Sequence, residues 1–67
     1  MTSRQFQQRM KDTKADLLND GKEIEDCALD VADCLLYERE IRRYIVKHYG
    51  IERPETMREL LADLIFG

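Results

Sequence analysis

One proline and three glycines are all the punctuation in 67 residues, and tryptophan is missing altogether. Gly and Pro so sparse, beside plentiful Ala, Glu, Lys, Leu and Arg, point to helices. Two cysteines cannot make a disulfide scaffold, and no Cys/His set has zinc-site spacing. Neither a metal nor any other cofactor is therefore expected. No apolar run approaches the roughly 20 residues of a membrane span, and the opening MTSRQFQQRM lacks the apolar core of a signal peptide. Thiols without an export signal lead us to expect a reducing, cytoplasmic setting and no membrane partner.

Hydrophobic residues make up 43% of the chain and charged residues 37%. That is too apolar for a disordered segment and too charged for a membrane segment. A chain of 67 residues makes one domain, near the size at which a single core is marginal. Small domains usually add disulfides, a metal or a partner chain. With the first two set aside, oligomerisation is the expected route.

The net charge of −3 hides a block pattern. Residues 1–15 carry +3 (four basic, one acidic) and residues 16–38 carry −7 (one basic, eight acidic). Residues 39–53 return to +3 (five basic, two acidic), and residues 54–67 to −2 (one basic, three acidic). Alternating blocks suit antiparallel packing of a basic N-terminal arm beside an acidic segment.

A first helix is expected over about residues 3–19. Thr2 and Gln5 have capping-box form, each side chain satisfying a backbone N–H of the other. Phe6, Met10, Thr13 and Leu17 then recur at helical spacing, with Leu18 widening the stripe. Asn19-Asp20-Gly21 is a turn signal, and Asp20 with Glu23 can cap the next helix.

Residues 22–49 read as one long amphipathic helix that would span roughly 42 Å. Glu23, Glu25 and Asp26 suit its start, and Arg42, Arg43, Lys47 and His48 its end. Gly50 is placed to be the left-handed residue after it, with Ile51 folding back. Its seam is Ile24, Cys27, Val31, Cys34, Leu35, Glu38, Ile41 and Ile45, largely alternating four and three as in a coiled coil. Glu38 is the charged exception, expected to pair with Arg42 or with an arginine of a second chain. Cys27 and Cys34 share this face about 10 Å apart, too far to bond with each other. A second apolar set, Leu29, Ala32 and Leu36, lies roughly 120° away. A helix apolar on two sides needs cover on two sides, and one 15-residue helix cannot supply it. Hence a homodimer is expected.

A short last helix is expected over about residues 54–66. Pro54 suits a first turn, and Thr56 with Glu59 offers a second capping box. Met57, Leu60, Leu61, Leu64, Ile65 and Phe66 crowd its length, so it must dock on something. The fold class expected is therefore all-α: an antiparallel hairpin plus a C-terminal helix, in a dimeric bundle.

Carboxylates invite a test for metal chemistry. Asp30-Val-Ala-Asp33 followed by Cys-Leu-Leu-Tyr resembles the second metal motif of MazG-type nucleotide pyrophosphohydrolases. That resemblance implies four carboxylates converging on Mg²⁺, two of them from an E-x-x-E pair on the preceding helix. Here that helix offers only Asp12 and Asp16, so half the constellation is missing and no enzyme is expected. Nucleic acid is the other rival, because His-Tyr-Gly-Ile before a helix has the form of a helix-turn-helix turn. The helix that follows carries three acids and one arginine, which phosphates would repel. The basic cluster Arg39, Arg42, Arg43, Lys47 is short and flanked by acids.

The acidic stripe Glu23, Asp26, Asp30, Asp33, Tyr37, Glu40, Tyr44 ends in two tyrosines, the residue type that protein-binding hot spots favour. We therefore expect a small dimeric adaptor or inhibitor of chaperone-like, antitoxin-like or phage type. It would act sterically on a larger protein with a basic surface. Tyr37, Glu40, Tyr44, Leu60, Leu64 and Phe66 are the expected contact residues.

Overall fold

In the computed structural model, residues 1–21 and 24–66 are described, with the side chains of all but residues 24–26. Four helices form an all-α fold: α1 (Ser3–Asn19), α2 (Ile24–Leu36), α3 (Arg39–Tyr49) and α4 (Pro54–Phe66). There is no strand among the described residues.

α1 starts where its capping box puts it. The Gln5 N–H donates to Thr2 Oγ1 at 3.1 Å, and the Thr2 N–H donates to Gln5 Oε1 at 2.8 Å. Phe6, Met10 and Leu17 are buried and Thr13 is half-buried. Leu18, expected to widen this stripe, is instead 55% exposed, because it points about 100° away from Leu17. The turn follows at Asp20–Gly21. Gly21 takes φ +67°, and its N–H donates to the Leu18 carbonyl at 3.2 Å. Asp20 ends α1, its N–H donating to the Asp16 carbonyl at 3.1 Å. The expected cap of the next helix by Asp20 and Glu23 lies outside the described residues.

The long helix expected over residues 22–49 is two helices. α2 stops at Leu36, α3 begins at Arg39, and the longest dimension of the molecule is 33 Å, short of the 42 Å rod. No glycine or proline makes this break. Its cause is the placement of the apolar residues. α2 buries Ala32 and Leu35, whereas α3 buries Ile41, Tyr44 and Ile45. At 100° per residue these two sets would point about 160° apart on a continuous helix. One core cannot receive both unless the helix turns back on itself. Fully burying two isoleucines contributes ~1.5–3 kcal/mol each. Each ladder hydrogen bond given up is worth ~0.5–1.5 kcal/mol net, so the break wins.

The break also recovers most of its polar losses. The Tyr37 and Glu38 N–H groups donate to the Cys34 and Leu35 carbonyls at 3.3 and 3.1 Å, tightening the end of α2. Arg42 Nη1 donates to the Leu36 carbonyl at 2.6 Å, capping α2 with a side chain from α3. Glu38 is the N-cap of α3, and its carboxylate forms an ion pair with Arg9 of α1. It is thus neither a seam residue nor a partner for Arg42. The basic N-terminal arm does meet the acidic segment here, and that pair, with the turn at Gly21, gives α1 and α2 an antiparallel course.

α3 ends on Gly50 at φ +66°, whose N–H donates to the Val46 carbonyl at 3.1 Å, and Ile51 packs half-buried against the core. α4 begins at Pro54, so Thr56 is its third residue and not its cap. Met57, Leu61 and Ile65 are buried, Leu60 and Phe66 half-buried. α4 packs chiefly on α2 and secondarily on α1, within the chain. Both arms of the hairpin thus pack more on α4 than on each other.

The break can be measured directly. Spin labels at positions 30 and 47 of a continuous helix would sit about 26 Å apart along the axis; we expect a dipolar distance clearly shorter than that. Nothing crowds a Cβ at Gly50, so Gly50→Ala tests backbone strain alone. Urea denaturation should show a loss of about 1–2 kcal/mol.

Candidate functional site

Between α1 and α2, which pack less on each other than on α4, runs an open groove of about 500 Å³. Leu17 from α1 and Val31 and Leu35 from α2 form its apolar floor. Cys27 and Cys34 line the α2 side and Thr13 the α1 side, all small residues that leave it wide. Asp12 and Asp16 on α1 and Asp30 on α2 make an acidic rim. Among the described residues Arg9 is the cation of the groove, and it is already engaged with Glu38. Asp12 accepts a hydrogen bond from Gln8 Nε2, a neutral donor, at 2.9 Å.

The structure therefore splits the seam expected along residues 24–45. Cys27 and Val31 are half-buried and Cys34 is exposed on the groove, while Leu35 reaches from it into the core. Ile41 and Ile45 are fully buried within the chain and are not available to a second copy. The side chain of Ile24, and the stripe residues Glu23 and Asp26, lie outside what is described. The second apolar set is divided as well: Ala32 is fully buried and Leu36 packs half-buried on the core, whereas Leu29 is exposed.

The expected contact residues are separated too. Tyr37 is 84% exposed in the break between α2 and α3, and Glu40 is exposed beside it. Tyr44 is not a surface residue. It is 6% exposed and stacks on Phe6 at 4.1 Å between ring centroids, 16° from parallel. Its other side stacks on His48 at 4.1 Å, Tyr49 meets both rings at an angle, and its hydroxyl donates to Ser3 Oγ at 2.9 Å. This aromatic stack ties the start of α1 to α3. The (i, i+4) spacing of Tyr44 and His48 is visible in the sequence, but the 38-residue separation of Phe6 from Tyr44 is not a local signal. Leu64 is the exposed apolar residue of α4, with Leu60 and Phe66 half-buried at the core margin.

Carboxylates do not converge. Asp33 turns away from the groove to an ion pair with Arg58 of α4 at 3.5 Å. Among the described residues no three of His, Cys, Asp and Glu are placed to hold one metal ion. The cationic residues Arg39, Arg43 and Lys47 form an exposed row on α3. No helix is long and apolar enough to cross a membrane among the described residues. No protein-family model matches this chain, and no curated protein or solved structure matches it.

The two tyrosines separate by stability. Tyr44→Ala removes a buried ring and should cost about 3 kcal/mol in urea unfolding. Tyr37→Ala should stay within about 0.5 kcal/mol of the parent.

Proposed function

We propose that this chain is a non-enzymatic protein-interaction module, a small adaptor or inhibitor that acts by occupying the surface of a larger protein. One observation carries it: half of the apolar seam, Cys27, Val31 and Cys34, stays on an open groove although the rest of the chain has closed its core. A 67-residue domain has little apolar surface to spare, and a groove left open between two helices is a place where partner side chains dock. Tyr37, in the break just after α2, adds an exposed aromatic. Self-association has less support from the folded chain than from the periodicity of residues 22–49. The demand for two-sided cover is met by the break at Tyr37–Glu38, and only the groove half of the seam still asks for it.

A nucleic-acid-binding role is the second reading, favoured by the row Arg39, Arg43, Lys47 on a helix that follows a two-residue turn. Three phosphate contacts would give a salt slope of only about −3 in log–log form. Attraction that weak, on a chain of net charge −3, makes it subordinate.

Affinity capture from the source cell separates these readings, with nuclease-treated and untreated extracts run in parallel. A protein held by the parent chain, retained after nuclease and lost with Cys34→Trp, is the expected result. Capture that disappears with nuclease and survives Cys34→Trp would favour the cationic row of α3. Sedimentation equilibrium of the pure protein reads the dimer.

A further inference from the structure

We propose that the α1–α2 groove receives a cationic amphipathic helix of another protein, apolar side chains on the floor and Lys or Arg against Asp12, Asp16 and Asp30. This rests on the interaction-module reading and adds the chemistry of the partner.

Length and shape select a helix. The lining runs from Arg9 to Leu17 on α1 and from Cys27 to Leu35 on α2, about 12 Å on each side. That is a little over two helical turns, the length covered by anchors at i, i+3 or i+4, and i+7. Side chains at Thr13, Cys27 and Cys34 are short, so the room lies over the floor, where larger partner residues can enter. Both walls are helices with their backbone groups bonded internally, so the groove has no open sheet edge to template an extended strand.

Charge selects a cationic one. Among the described residues three carboxylates stand on the rim, and the single arginine there is held by Glu38. A second copy docked isologously through this groove would bring six carboxylates face to face, an arrangement that like-charge repulsion opposes. Nucleic acid meets the same repulsion. A bare divalent ion is not the counter-charge, because no three ligands converge among the described residues. What satisfies both floor and rim is a helix with an apolar stripe bordered by Lys or Arg.

A displayed library of 16-residue helices, randomised at the stripe and its borders, tests this against the full-length protein. Selected peptides should carry a two-turn apolar stripe bordered by Lys or Arg. Their affinity should fall at least tenfold on Asp12→Asn/Asp16→Asn/Asp30→Asn and on Cys34→Trp, the latter filling the groove from an exposed position. Nuclear magnetic resonance shifts should map to Thr13, Val31 and Cys34. Selection of acidic or neutral helices, no enrichment at all, or shifts centred on α3 would overturn the assignment. The module reading falls separately, if capture from the source cell yields no protein partner. A captured protein that is indifferent to both groove variants would preserve that reading and remove the groove.

Discussion

The geometry of 100° per residue is the constraint from which the rest of this structure follows. Ala32 and Leu35 demand burial on one side of the chain, and Ile41, Tyr44 and Ile45 demand it on nearly the opposite side. A continuous helix satisfies one set and strands the other in water. Turning the helix at Tyr37–Glu38 satisfies both with one core, and every later feature depends on that turn. It frees the Leu36 carbonyl, which Arg42 caps, and makes Glu38 an N-cap whose carboxylate reaches Arg9. It also carries Tyr44 round to Phe6, closing the molecule at the start of α1.

The polar contacts at the break position it more than they stabilise it. Arg9 and Glu38 are both about half exposed, and pairs of that kind are worth ~0–1 kcal/mol. Burial of Ile41, Ile45 and the Phe6–Tyr44 stack supplies the larger share. The side-chain cap from Arg42 matters in a different way, because it satisfies a helix-end carbonyl where no glycine is available to do so. A break made by opposed packing faces has no residue that marks it, unlike the two turns at Gly21 and Gly50.

That difference explains what could be read from the chain alone. The all-α class, the Thr2–Gln5 box, the turn at Asp20–Gly21, the left-handed Gly50 and the start of α4 at Pro54 are all local chemistry, visible as residue types at fixed offsets. The stripes Phe6, Met10, Leu17 and Met57, Leu61, Ile65 were legible for the same reason, whereas Leu18 and Leu64 stay exposed. The two apolar faces of residues 22–49 were legible too, but their meaning was not. Two faces on one helix can ask for a second chain or for a bend, and periodicity does not distinguish them. Tyr44 was misplaced for a related reason: assigning it to a surface stripe with Tyr37 required the helix to be continuous. Once the helix turns, Tyr37 is left outside and Tyr44 goes to the core.

The groove is the other consequence of the same geometry. Because α1 and α2 each pack more on α4 than on each other, a groove is left along their facing sides. Cys27, Val31 and Cys34 line that groove with compact side chains. Had larger residues stood there, the arms could have closed on each other and added to the core. Instead the rim holds Asp12 and Asp16 opposite Asp30, and their mutual repulsion favours the arms standing apart. Small apolar residues below and like charges above both keep the groove open. In the proposed complex a cationic helix would relieve that repulsion and fill the gap in a single step.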